Sequence, residues 1–245
     1  MNILGIIPAR FASTRFPGKP LIVIEGKTMI QRVYEQAAKA ERLFALVVAT
    51  DDERIFNHVV SFGGKAVLTG THHQSGTDRC AEAMLAFSRV DAIINIQGDE
   101  PMLDPEQIDQ LAECFDSPST EVATLIKRIA HIDEIENPNV VKVVQNVNGE
   151  AIYFSRSPIP YLRGVVKIDW LSRQKYFKHI GLYGYRQDIL TRISELKPSF
   201  LELSESLEQL RWLENGIKIS LCETTIETQA VDTPADLEKL SFGTL

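Results

Sequence analysis

The chain is expected to fold as an α/β protein on a mostly parallel sheet, and three observations carry that expectation. Apolar runs short enough for strands alternate with stretches of helical periodicity from residue 3 to residue 96. Polar loops follow the strands at 8–20, 69–79 and 97–101. The first of these loops carries Arg10, Arg15 and Lys19 with no acidic residue before Glu25, in a chain with 26 basic and 33 acidic residues and a net charge of −7. A cationic loop at the carboxyl end of the first strand is where open α/β sheets place phosphates.

Ile3 to Ile7 reads as a buried first strand, and Pro8, which has no backbone donor, is expected to end it. Residues 9–20 fit neither helix nor strand. A Walker A loop is excluded, because Ser13 stands where its first glycine belongs and Pro20 where its Ser or Thr belongs. Thr28 and Gln31 resemble a capping box for a helix from about 28 to 40. Phe44 to Thr50 is a second strand. Asp51-Asp52 precede a helix with Ile55, Phe56, Val59 and Val60 on its apolar face, closed by Gly63-Gly64. Ala66 to Leu68 is a third strand, and the order implies right-handed crossovers.

The loop from Thr69 to Arg79 offers small hydroxyls, with Thr77 the candidate cap of the helix carrying Ala81, Met84, Leu85 and Phe87. Adjacent His72 and His73 have poor chelate spacing for a helix or strand, and no carboxylate follows before Asp78, so no metal is expected there. The strand from Asp91 to Ile96 runs into Gln97-Gly98-Asp99-Glu100-Pro101. Asp99 faces the same crevice as the basic loop. Phosphates there call for Mg²⁺, a hard ion that takes carboxylate oxygens, and Asp99 is its natural ligand. Asp104, directly before Pro105, is the preferred cap of the next helix. Asp232 suits either of two roles, N-cap of the last helix or second carboxylate beside Asp99.

Beyond a strand at 121–129 the character changes. Val140 to Val147 and Ala151 to Ser155 read as a hairpin around Asn148-Gly149. Lys167 to Lys178 is polar and reads as a mobile loop. Tyr176 to Tyr185 reads as a strand with His179, Gly181, Tyr183 and Tyr185 at alternate positions. Ser204 to Glu214 reads as one helix capped by Ser204, with Glu208 and Gln209 on its polar face. Residues 217–221 and 225–231 return to strand.

The length of 245 residues and 44% hydrophobic content suit one large α/β domain. No run reaches the ~18 apolar residues of a membrane span, and the first residues lack the features of a signal peptide. Cys80, Cys114 and Cys222 read as three ordinary thiols of a cytoplasmic protein. The acidic balance argues against nucleic-acid binding.

Five motifs carry a resemblance that spans nearly the whole chain: IPARFASTRFPGKP at 7–20, HQSGTDR at 73–79, QGDEP at 97–101, HIGLYGYR at 179–186 and LEQLR at 207–211. They resemble the sugar-activating cytidylyltransferases, and within them the branch that uses 3-deoxy-manno-octulosonate (KDO). The resemblance implies a Rossmann-like nucleotidyltransferase sheet in a single domain, 1–245, with a β-rich sugar-binding and dimerisation subregion at roughly 130–190. It implies CTP and KDO as substrates, Mg²⁺ as cofactor, a homodimer, and a product used in lipopolysaccharide biosynthesis. Nucleotide contacts are implied at Pro8, Ala9, Arg10, Arg15, Lys19, Ser75, Gly76, Thr77 and Arg79. Sugar contacts are implied at Gln97, Arg156, His179, Tyr183, Glu208 and Gln209. Asp99 and Asp232 would hold the metal, and Arg10 and Lys19 would act with them in catalysis. Phe16, Asp78 and Ser157-Pro158 depart from the commoner family residues, the last pair beside the sugar-side arginine. Alternative readings are transfer to 8-amino-KDO, to a sialic acid or to a sugar 1-phosphate, and a non-catalytic nucleotide-binding module.

Overall fold

The computed structural model describes residues 1–12, 16–227, 230–231 and 233–239. It divides into two compact units, 1–109 with 228–245, and 110–227. In the first unit, β1 (Ile3–Ala9) is followed by a small antiparallel hairpin, β2 (Val23–Ile24) and β3 (Lys27–Thr28). Then come α1 (Met29–Ala37), β4 (Ala45–Thr50), α2 (Glu53–Ser61), β5 (Ala66–Leu68), α3 (Gly76–Met84) and β6 (Ala92–Asn95). α4 (Pro105–Glu113) spans the division at 109/110. The strand order β6-β1-β4-β5 is parallel throughout, as the sequence predicts. Parallel strands are covered on both faces, which is why β1 and β4 are continuous apolar runs whose Ile6, Ile7, Val47 and Val48 are fully buried.

The predicted caps hold where an oxygen is free to reach a backbone N–H. Thr28 accepts from Gln31 and Asp52 from Arg54. Asp104 accepts from Glu106. Ser75 rather than Thr77 caps α3, through a full capping box with Asp78. Pro8 does not end β1: the strand stays paired with β4 as far as Ala9. Ile6 presents its carbonyl to Ile96 on the β6 side, and Pro8, two residues on, faces that same side after the β6 pairing has stopped at Ile6. Its missing donor therefore costs no ladder bond.

Gly5 sits where β1 is packed hardest. A Cβ there would lie 2.8 Å from Leu43 Cδ1 and 2.9 Å from Leu46 Cδ1. Gly5→Ala is expected to destabilise the protein by about 1–3 kcal/mol through overpacking, read as a lower urea midpoint at unchanged m-value.

The second unit contains β7 (Val122–Arg128), α5 (Ile132–Glu136), β8 (Lys142–Gln145), β9 (Ala151–Ser155), α6 (Trp170–Arg173), β10 (Phe177–Arg186), α7 (Gln187–Ser194), α8 (Phe200–Glu205), α9 (Gln209–Glu214) and β11 (Ile219–Glu223). Its strand pairing runs β9-β8-β10-β7-β11 and is antiparallel except for β7 with β11. The hairpin of β8 and β9 turns at Gly149, whose φ of 76° suits glycine.

Four expectations are corrected in this unit. The polar stretch 167–178 contains a 3₁₀ turn and α6, because Trp170 is buried, stacks on Tyr176 and donates its indole N–H to Val165 O. The predicted helix 204–214 is two helices, since Ser206 adopts φ 52°, ψ 49° and ends α8. Ser204 is inside α8, its hydroxyl turned back to Phe200 O. The predicted strand at 225–231 is absent among the described residues, and Thr224 N–H instead bonds Ile126 O beyond the end of β11. Cys114 and Cys222 are joined by a disulfide, and Cys80 is buried outside it. Their separation of 108 residues hid the pair from the sequence.

The chain returns to the first unit through α10 (Pro234–Lys239). Val231 is buried with Ile24 and Met29, and Leu237 packs against them. No helix among the described residues is long and apolar enough to cross a membrane.

Candidate active site

The carboxyl ends of β1, β5 and β6 open into a pocket of about 260 Å³ lined by Pro8, Ala9, Arg10, Lys19, Pro20, His73, Gln74, Ser75, Gly76, Arg79, Gln97, Gly98 and Asp99. Close backbone approach builds its floor. A Cβ on Gly98 would lie 3.0 Å from Pro8 O, and one on Gly76 would lie 3.1 Å from Pro8 Cγ. Only small residues let the loop after β6 and the start of α3 meet at the end of β1.

Lys19 enters from the basic loop. Gly18, at φ 71°, turns the chain into a short 3₁₀ helix over Lys19–Leu21, and its N–H bonds Phe11 O at 3.0 Å. Phe11 in turn lies under the Arg54 guanidinium, 3.4 Å from ring centre to Cζ. Lys19 Nζ donates to Asp99 Oδ2 at 2.6 Å, both side chains being mostly shielded from solvent. Arg10 lines the same pocket and is exposed.

Arg79 lines the pocket while its donors are used elsewhere. It is 3% exposed, gives Nη2 to Asp51 Oδ2 at 2.8 Å and Nη1 to Thr69 Oγ1 at 2.5 Å. It thereby ties the loops after β4 and β5 to α3. Thr77 is 2% exposed and is not part of the pocket lining. Arg15 and Asp232 lie outside the described residues. Val231, next to Asp232, donates its N–H to Asp99 O at 2.9 Å.

Among the predicted sugar residues, Gln97 belongs to this first-unit pocket beside Asp99. The others lie in the second unit. His179 and Tyr183 are brought together by an irregularity in β10: His179 is opposite Ile126 and Tyr183 opposite Thr124, so five residues of β10 run opposite three of β7. Thr124 Oγ1 holds the bulge, bonding Ile180 O at 3.1 Å, Leu182 O at 2.8 Å and His179 Nε2 at 3.0 Å. The two rings stand 5.0 Å apart, with Phe154 at 5.3 Å from His179 and Trp212 at 5.0 Å from Tyr183. The Tyr183 hydroxyl is buried and has no hydrogen-bond partner among the described residues. Burial pushes its phenol well above the usual range.

Glu208 accepts from Arg211 at 3.1 Å, and Gln209 is 5% exposed at the start of α9. Arg156 gives Nε to Glu205 O at 2.7 Å, Nη1 to Pro138 O at 2.9 Å and Nη2 to Ser206 O at 3.3 Å. These bonds commit the guanidinium to holding the turn between α8 and α9, immediately before Glu208.

Burial pushes the His179 imidazole down to about 3. The native ring therefore stays neutral while the unfolded ring takes a proton below its ordinary 6.5, so stability is intact above that value and is lost as pH falls from about 6.5 toward 3. His179→Gln is expected to flatten this loss, which urea titrations at about pH 7 and about pH 4.5 would read as a smaller drop in midpoint than in the wild type.

Sequence reasoning missed His73, Gln74, Pro20 and Gly98 as pocket walls. The signal for Gly98 was available, as a glycine between a strand and a carboxylate. The walls formed by Pro20 and Gln74 depend on loop conformation, which no periodicity records.

A parallel sheet with a cationic loop, a small-residue helix start and a carboxylate at its carboxyl edge defines a nucleotide-handling α/β protein of the nucleotidyltransferase kind. The cytidylyltransferase family model matches residues 4–219. The 3-deoxy-manno-octulosonate cytidylyltransferase of Cytophaga hutchinsonii is 57% identical over 243 residues, covering 98% of this chain and 97% of that protein. That of Parabacteroides distasonis is 54% identical over 244 residues, covering 98% and 96%. A solved structure of CMP:2-keto-3-deoxy-manno-octonic acid synthetase complexed with CTP superposes with a TM-score of 0.90 at 46% identity, covering 98% of this chain and 96% of that one. The chain belongs to the 3-deoxy-manno-octulosonate cytidylyltransferase family.

Proposed function

We propose that the protein activates KDO, transferring the cytidylyl group of CTP to the sugar acid and releasing diphosphate. The observation that carries this reading is the pairing of Lys19 with Asp99 in a pocket that also presents Arg10 and the amino end of α3. The anomeric hydroxyl attacks the α-phosphorus, the bond from that phosphorus to the bridging oxygen breaks, and the hydroxyl proton passes to solvent. Arg10, Lys19 and Arg15 meet the β- and γ-phosphates and stabilise the negative charge that grows on the departing diphosphate. Pro8, Ala9, Ser75 and Gly76 supply close backbone approach to the nucleotide. Arg79 keeps the loops that frame it in place, and Thr77 is buried in the first turn of α3.

Asp99 fits a Mg²⁺ ligand. It is a hard oxygen donor at the end of a strand, partly open to solvent, in a polar pocket of a size to admit phosphates. Asp232 would complete the pair, a reading supported by the bond from Val231 to Asp99 O. When bound, Mg²⁺ supplies charge neutralisation at the α-phosphate and lowers the pKa of a coordinated hydroxyl. Before it arrives, Lys19 supplies the charge that Asp99 faces.

In the second unit, His179, Tyr183, Glu208 and Gln209 are the sugar-binding candidates, with Gln97 in the first. His179 is neutral and shares a proton only as a hydrogen bond, so its part is recognition rather than acid–base chemistry. Arg156 acts through the turn it holds. A cytoplasmic homodimer and a place in lipopolysaccharide biosynthesis complete the proposal.

The test is diphosphate release from CTP and Mg²⁺ with KDO, 8-amino-KDO and sialic acid offered separately. Release with KDO alone supports the reading. Release with another acid keeps the chemistry and moves the substrate. CTP binding without release from any acid contradicts it and favours a binding module.

A further inference from the structure

The loop between β5 and α3 holds a cluster that the nucleotide reading does not use. Among the described residues, His72, His73 and Glu82 each offer one donor atom, all within 4.8 Å of one another. His72 and His73 lie in a turn rather than a helix or strand, so adjacency does not send their rings to opposite sides: the ring centroids are 4.3 Å apart. The carboxylate that the sequence lacked near this pair comes from α3, where Glu82 stands two turns beyond the Ser75 cap. Its Oε2 contacts His73 Nε2 and accepts the Gly70 N–H at 2.9 Å. Gly70 is also what lets the His72 ring lie against the loop, since a Cβ there would meet His72 Cε1 at 2.4 Å and Nδ1 at 2.5 Å.

We propose that His72, His73 and Glu82 form a binding site for a divalent transition metal of the zinc class. Two imidazoles and a carboxylate are a borderline donor set that suits Zn²⁺, Co²⁺ or Ni²⁺ and discriminates against Mg²⁺, which takes oxygen. Tetrahedral bonds of about 2.1 Å put ligand atoms about 3.4 Å apart, so the widest pair closes by at most about 1.4 Å, a rotamer adjustment for the exposed His72, while the His73–Glu82 contact opens to admit the ion. Three protein ligands leave a coordination position for water. An ion there fastens the 69–75 loop to α3. Because His73 also lines the nucleotide pocket, the site connects metal supply to the wall of that pocket.

The experiment is Zn²⁺ binding to the full chain, freed of metal by chelator, in competition with a chromophoric chelator and with millimolar Mg²⁺ present. Binding of one ion per chain is expected, weakened about tenfold or more in His72→Gln and in Glu82→Gln. Unbound thermal melts of the two variants establish that they fold. Co²⁺ supplies an independent readout in the wild type, with visible d–d bands of a low-coordinate ion that Zn²⁺ abolishes. Zinc binding no tighter than in a His72→Gln/Glu82→Gln double variant, or wild-type protein without Co²⁺ bands, would overturn the proposal. Neither result bears on diphosphate release with Mg²⁺, so this site and the proposed reaction stand or fall separately.

Discussion

Asp99→Asn is expected to lower kcat by about 10²–10³ at saturating CTP, KDO and Mg²⁺. The amide keeps the shape of the side chain and removes its charge. Two things are lost at once. The pocket loses the carboxylate proposed to hold Mg²⁺, and Lys19 loses the anion 2.6 Å from its ammonium. Lys19 is 13% exposed as a side chain, so losing the charge-assisted bond from this shielded ammonium costs about 1–3 kcal/mol of stability. The two losses can be separated. In an Asp99→Asn/Lys19→Met double variant the ammonium is gone as well, so the amide has no bond to Lys19 left to weaken and stability returns toward that of Lys19→Met while turnover stays low. Turnover equal to the wild type in Asp99→Asn would remove Asp99 from the reaction, and diphosphate release over a Mg²⁺ titration decides it.

Lys19→Met is expected to reduce kcat/KM for CTP by about 10²–10³. Methionine preserves the apolar stem that the 3₁₀ turn over Lys19–Leu21 packs into the pocket wall, so the loss reports the ammonium. The charge on the diphosphate increases as the phosphorus–oxygen bond breaks. An ammonium facing it is therefore worth more in the transition state than in the ground state, and the fall should sit mainly in kcat. CTP affinity by calorimetry should weaken less than kcat falls. A change confined to KM would reassign Lys19 to ground-state binding. Lys19→Arg should rescue poorly, because a guanidinium is bulkier than an ammonium and spreads its charge over a plane that pairs with carboxylates side-on rather than as a point donor.

The residues that reached the pocket as the sequence predicts are those whose signals are local. Arg10, Lys19, Ser75, Gly76 and Asp99 stand directly after strands or at a helix start, and the parallel order places strand ends on one edge. Arg79 was also legible as a pocket residue, but its partners Asp51 and Thr69 come from other loops, and only the fold shows that it braces them. Arg156 illustrates the same limit, because its role depends on carbonyls of Pro138, Glu205 and Ser206 that no spacing relates to it. The misread helix at 204–214 fails for a different reason. Leu207, Leu210 and Leu213 carry the helical spacing but all lie after Ser206, so they do not report the break before them, and a serine in the left-handed region gives no compositional warning. The disulfide and the His72–His73–Glu82 cluster were invisible in kind, being non-local pairings among residues that individually look ordinary.

The central claim is that the Lys19–Asp99 pocket drives cytidylyl transfer, and phosphorus-31 NMR of a reaction of CTP, KDO and Mg²⁺ tests it most directly. The account predicts that the three CTP resonances are replaced by one phosphodiester and one diphosphate in equal amounts, in the wild type and barely in Asp99→Asn. Resonances of intact CTP throughout, or orthophosphate with a nucleoside diphosphate in place of diphosphate, would contradict it.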